Sequence, residues 1–85
     1  MNYRVELSRT ASRELRRVPV PLHDAIVRVL KGLEKEPRPH GCKKLVGASG
    51  FWRVRVGAYR IIYEITDRIK LVSVERIADR KDAYR

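Results

Sequence analysis

The chain reads as an α+β domain, and three observations point that way. Leu22, Ile26, Val29, Leu30 and Leu33 fall at offsets 0, 4, 7, 8 and 11, the apolar stripe of an amphipathic helix. A second, shorter helical segment precedes it. Downstream, helical spacing gives way to strand-like runs, above all Phe51 to Ile65. Consecutive helices followed by consecutive strands argue for segregated layers. The expected order is β-α-α-β-β-β-β, with two N-terminal helices on one face of a small, mostly antiparallel sheet.

Taken in order, Tyr3, Val5 and Leu7 alternate with Arg4 and Glu6, as in a half-buried strand. Ser8 is placed to cap a helix in which Ala11, Leu15 and Val18 share a face. Pro19 and Pro21 end that helix and open the next, which carries the stripe and must stop before Pro37. Pro37 to Gly41 is a loop. Lys43 to Val46 is expected as a short strand, followed by a turn over Gly47-Ala48-Ser49-Gly50. Asp67-Arg68 makes another turn. Ile69 to Ile77 carries apolar residues on both faces, which suggests a central strand. The tail from Asp79 to Arg85 has no long period and is expected as a turn or short helix.

Within Phe51 to Ile65, Gly57-Ala58 forms a two-residue loop, and Gly in its first position suits a type II′ turn. This register sets Val56 opposite Tyr59, Val54 opposite Ile61 and Trp52 opposite Tyr63, giving one apolar face. Arg53, Arg55 and Arg60 gather on the other, with Arg55 and Arg60 directly opposed. Like charges facing each other across a ladder are normally destabilising. The pattern therefore reads either as a site for an anion, phosphate above all, or as a solvated face whose long side chains splay apart.

Composition sets the bounds. The 85 residues make one domain, 1–85, short enough to bury only about 60% of the unfolded surface. Lys and Arg number 20 against 10 acids, a net charge of +10. The excess is uneven, +3 over residues 1–36 and +7 over 37–85, so it travels with the arginine hairpin. Fourteen of the bases are Arg, the better fork for phosphate. A polyanionic partner follows, nucleic acid most economically, although an acidic protein would use the same field. Cys42 is alone, which leaves no internal disulfide and no Cys-rich metal site; it is expected as a small half-buried side chain. No apolar run approaches the roughly 20 residues of a membrane span. Nor do the first residues open into a signal-peptide core, so a cytoplasmic protein without membrane contact is expected.

The run Trp52-Arg53-Val54-Arg55-Val56-Gly57-Ala58-Tyr59-Arg60-Ile61-Ile62-Tyr63 and the tail Arg80-Lys81-Asp82-Ala83-Tyr84-Arg85 resemble the RelE/ParE superfamily of bacterial and archaeal toxins. Upstream, Leu33-Glu34-Lys35-Glu36-Pro37-Arg38-Pro39-His40-Gly41 and Lys44-Leu45-Val46-Gly47 match the family's "L…P…G…KL.G" run. The resemblance covers nearly the whole chain in order and is strongest to the RelE branch. It implies a toxin of a type II toxin–antitoxin system, an endoribonuclease that enters the ribosomal A site and cuts messenger RNA. The ribose 2′-OH would attack the adjacent phosphodiester, leaving a 2′,3′-cyclic phosphate and a 5′-OH without metal or other cofactor.

By this resemblance Arg53 and Arg55 fall where the family places two basic residues, and Arg60 falls on the Arg of a GxYR motif. Arg55 and Arg60 would stabilise the phosphorane. Arg80 would approach the leaving oxygen, and Tyr84 would stack on or orient a base. Several relatives carry Lys at the position of Arg53, assigned as general base. Arg stays charged in proteins and cannot take that role. Either Arg53 binds phosphate and another group accepts the proton, or proton removal contributes little. Glu64 shares the arginine face and is one acceptor, or it pairs with Arg53. Asp79 stands where many relatives carry His, and Ala58 replaces an acidic residue common after the Gly.

His40 reads as a surface residue; Trp52, Tyr59 and Tyr63 read as core. Arg13, Arg16, Arg17, Arg28, Lys31 and Lys35 form a solvated face that would meet ribosomal RNA phosphates if the protein enters the ribosome. The resemblance also implies a small acidic antitoxin, giving a hetero-oligomer rather than a homo-oligomer of free toxin. Two other readings stay open: a ParE-like inhibitor of DNA gyrase, and a non-catalytic basic module that binds RNA or only its antitoxin.

Overall fold

The structure, a computed structural model, describes residues 2–47 and 50–79. The sequence expectations for the tail beyond Asp79, including Arg80 and Tyr84, lie outside the described residues. The elements are β1 (Arg4–Leu7), α1 (Arg9–Arg16), α2 (Leu22–Leu33), β2 (Lys43–Lys44), β3 (Phe51–Val56), β4 (Tyr59–Thr66), a 3-10 turn (Asp67–Ile69) and β5 (Leu71–Asp79). They follow the expected order. The five strands form one sheet in the order β1-β5-β4-β3-β2. β1 runs parallel to β5, from which it is separated in sequence by both helices and by β2, β3 and β4, and every other pair is antiparallel.

Both helices start and stop where local chemistry dictates. The Ser8 hydroxyl accepts the Ala11 N–H at 3.0 Å and so caps α1. α2 follows Pro21 and ends at Leu33, four residues before Pro37. Its stripe is buried: Ile26 and Leu33 are fully enclosed, Leu30 nearly so, with Leu22 and Val29 at the margin. Ala11 and Val18 of the first helical segment are buried too, with Leu15 packed against them. These side chains meet Ile61, Tyr63, Ile65, Val72, Val74 and Ile77 from β4 and β5. Tyr63, placed in the core from sequence, has no exposure at all, while Trp52 and Tyr59 pack at its edge. The Tyr63 hydroxyl donates to the Pro37 carbonyl at 2.8 Å, tying the loop after α2 to the sheet. Burial in the first place, then the neighbouring Cys42, pushes the Tyr63 phenol well above its usual range.

Two strands differ from their expected limits. β2 is only Lys43–Lys44, since Leu45 hands its N–H to Phe51 O and the chain turns at once through Gly47, with φ +82. β5 begins at Leu71 rather than Ile69. Ile69 closes the 3-10 turn and is 57% exposed, and Lys70 adopts a left-handed φ of +55 before the strand can start. β5 is central as expected, flanked by β1 and β4. Cys42 is half-buried and His40 exposed, as read from the sequence. No helix among the described residues is long and apolar enough to cross a membrane.

Candidate functional site

Period-2 alternation sends the odd-numbered residues of β4 under the helices and leaves the even-numbered ones on the opposite face. The hairpin register is the one read from sequence: Val56 faces Tyr59, Arg55 faces Arg60, Val54 faces Ile61 and Trp52 faces Tyr63. Gly57 has φ +58 and Ala58 is not in the left-handed region, the signature of a type II′ loop. A two-residue loop makes Val56–Tyr59 the hydrogen-bonded pair and Arg55–Arg60 a non-hydrogen-bonded one. The Cα atoms of such a pair lie only about 4.5 Å apart.

Around this pair the open face is basic. Arg60 pairs with Arg55 on one side and Ala78 on the other, and one row along, Arg53 lies between Lys43 and Ile62. Lys43 thus joins the arginine face, which the sequence reading missed; carrying the ladder across the Gly47–Gly50 turn would have found it. Depth grades across the face. Arg60, on the central strand, is only 6% exposed, Arg53 is half-buried, and Arg55 is exposed. Arg55, Gly57, Ala58, Tyr59 and Arg60 line a shallow dimple of about 40 Å³. That is room for a few waters, so a polymer would lie across the face rather than enter it.

The structure thus brings Arg53, Arg55 and Arg60 together on one face. Glu64 is on that face too, opposite Phe51 and Ser73. It is four residues along β4 from Arg60, about 13 Å at the rise of an extended strand. Its carboxylate lies against Gly50, at the far end of the strand from the hairpin tip. Among the described residues no group of three or more His, Cys, Asp or Glu is placed to hold a metal ion. All six helix bases named above are exposed.

Residues 5–84 match the family model described as the ParE toxin of the type II toxin–antitoxin system parDE. The chain belongs to the RelE/ParE toxin superfamily. Toxin RelG of Mycobacterium tuberculosis is 34% identical over 86 residues, spanning 100% of this chain and 99% of that protein. Toxin RelE of the same organism is 33% identical over 84 residues, covering 98% of this chain and 87% of the relative. In structure, the chain resembles the toxin–antitoxin complex RelBE2 from Mycobacterium tuberculosis at TM-score 0.81 and 30% identity, over 93% of this chain and 99% of that one. It resembles the archaeal RelE–RelB complex from Pyrococcus horikoshii at TM-score 0.84 and 26% identity, over 96% and 99% of the two chains. In this RelE-like toxin the arginine face is thus the side of the sheet that the helices leave open.

Proposed function

We propose that this toxin is a ribosome-dependent messenger RNA endonuclease. The observation that carries the reading is the directly opposed Arg55–Arg60 pair on the open face, flanked by Arg53 and Lys43. Like charges directly opposed across a ladder are destabilising, and an anion seated on the face offsets that cost. A phosphodiester supplies that anion, and its charge rises on the way to the phosphorane, so the pair stabilises the transition state more than the ground state.

In the reaction the 2′-oxygen forms a bond to phosphorus and releases its proton, the P–O5′ bond breaks, and the departing oxygen is protonated. The products are a 2′,3′-cyclic phosphate and a 5′-OH. Arg55 and Arg60 hold the non-bridging oxygens, and Arg53 binds the neighbouring phosphate along the strand. Arg80 assists the leaving oxygen and Tyr84 stacks on a base, roles that rest on the family resemblance. Arg53 stays protonated, and Glu64 is turned toward Gly50 at the other end of the strand. The 2′-OH proton therefore passes to water or the ribosome, with charge stabilisation and in-line positioning carrying the rate.

The partners are messenger RNA in the ribosomal A site and, to silence the toxin, an acidic antitoxin. The relatives crystallised as RelBE complexes and the net charge of +10 both support the latter. The family model's ParE description favours one other reading, inhibition of DNA gyrase; the two Mycobacterium tuberculosis toxins described above are named RelG and RelE.

A translating extract with a defined message separates the two. New 5′-OH ends within codons are expected, with ribosome binding that weakens steeply as salt rises. Intact message together with trapped gyrase–DNA would overturn the nuclease reading.

A further inference from the structure

β1 pairs with only the first half of β5, Leu7 lying beside Val74. Ser8 extends that edge slightly, its N–H donating to Val74 O and its hydroxyl to Glu75 O at 2.9 Å. Beyond Glu75 the strand runs on to Asp79 with β4 on one side and, among the described residues, no strand on the other. The ladder is weakened at the same place. Ile62 pairs with Arg76 and Tyr63 with Val74, so Glu75 is an inserted bulge residue. A bulge interrupts the ladder and bends its strand. The segment after it needs support from elsewhere.

That support is Glu14 of α1. One carboxylate oxygen accepts the Ile77 backbone N–H at 2.7 Å and Arg76 Nε at 3.2 Å; the other takes Arg76 Nε at 3.0 Å and Nη2 at 2.7 Å. A bidentate, charge-assisted pair and an amide bond thus meet on one half-buried side chain. Ile77 is buried, so without Glu14 its N–H would be left without a partner away from water. The residues held in this way are those that frame the site: Ile77 lies beside Ile61, Ala78 beside Arg60 and Asp79 beside Tyr59.

We propose that Glu14 is a positioning residue for the arginine face, substituting for the strand that β5 lacks beyond its bulge. It fixes the register of Arg76–Asp79 against β4, and with it the backbone that flanks Arg60. The proposal rests on the nuclease reading for its catalytic consequence, but not for its structural one.

The test compares wild type, Glu14→Ala, Glu14→Asp and Glu14→Gln by backbone amide exchange and by cleavage on ribosomes. Gln keeps an acceptor for Ile77; Asp keeps the charge but is one methylene too short. Loss of a charge-assisted bond predicts about ten- to a hundredfold faster exchange at Ile77 in the Ala and Asp variants, with residues 59–65 less affected. The cleavage rate at saturating ribosomes should fall about tenfold or more in both variants with KM unchanged, and Gln should recover most of it. Should Ala fail to fold, Asp gives the same readout.

Wild-type exchange at Ile77, or a rate loss matching only the folded fraction, would overturn the proposal. If wild type itself does not cut, the nuclease reading fails. The exchange data then still decide: protection lost locally at Ile77–Asp79 supports the positioning role, and uniform loss rejects it.

Discussion

Two arginines in this small molecule have opposite fates. Arg38, in the loop after α2, gives a near-parallel pair of hydrogen bonds to Asp67, at 2.7 and 3.3 Å, and its guanidinium lies 5.2 Å over the Trp52 ring. Tyr3 donates its hydroxyl to the same carboxylate at 2.6 Å, and Lys70 sits 5.0 Å over the Tyr3 ring. There the charge is matched internally and joins β1, the loop and the turn before β5. Arg55, at the hairpin tip, has no carboxylate at salt-bridge distance among the described residues and instead faces another arginine. The difference teaches that charge alone does not mark a site. A cation matched by its own fold holds structure together, whereas Arg55, set against its like, is the one the proposed phosphate would use.

The sharpest way to break this comparison is to remove one cation from each region. Arg55→Ala should lower cleavage by about two to three orders of magnitude, as expected for loss of a transition-state donor, and leave the melting temperature nearly unchanged. Arg38→Ala should do the reverse, costing some stability and little activity. Equal effects on cutting would mean that the two regions do not divide the work in this way.

The hairpin turn offers a smaller effect. Gly57 has φ +58, and a Cβ there would stand 3.0 Å from Leu22 Cδ2 of α2. Gly57→Ala should therefore cost about 1–2 kcal/mol in chemical denaturation, with reduced cleavage because the turn carries the opposed pair. A further step down, Tyr63→Phe removes the hydroxyl that holds Pro37 O, next to Arg38. About 1 kcal/mol of stability should be lost with cleavage preserved.

The smallest effect is one of pH. The hydrogen bonds from Arg38 and then Tyr3 hold the Asp67 carboxyl down at about 2. A carboxylate depressed in the fold contributes stability that is fully present above its unfolded pKa and is lost as pH falls through the folded one. The contribution should therefore fade between about pH 4 and 2. Asp67→Asn should flatten stability against pH in that window, most visibly at low salt because the pair is exposed. An unchanged acid limb would assign acid sensitivity to other carboxylates. Tyr3, raised by the same bond, works oppositely: its share is present below pH 10 and lost above.

Much of this was legible in the sequence because the signals are local. A two-residue Gly-first loop and strict alternation set the hairpin register, so the facing of Arg55 and Arg60 followed from counting. The α2 stripe and the Ser8 cap followed from spacing within a few residues. The late start of β5 was less legible, because a 3-10 turn and a left-handed Lys70 leave no strong composition signal. Glu14 was not legible at all. Its partners lie 62 and 63 residues away, and it reads in the sequence as one more charge on a basic helix.

The sequence by itself determined the order of elements, the register of the hairpin and which of its faces would be basic, since hydrophobic period and turn chemistry act over short stretches of chain. Only the tertiary structure decided how deep each arginine sits, that Lys43 joins them, and that a helix carboxylate completes the edge of β5. Those outcomes depend on which strands become neighbours, and a gap left where β1 ends can be filled only by whatever the packed helices bring to it.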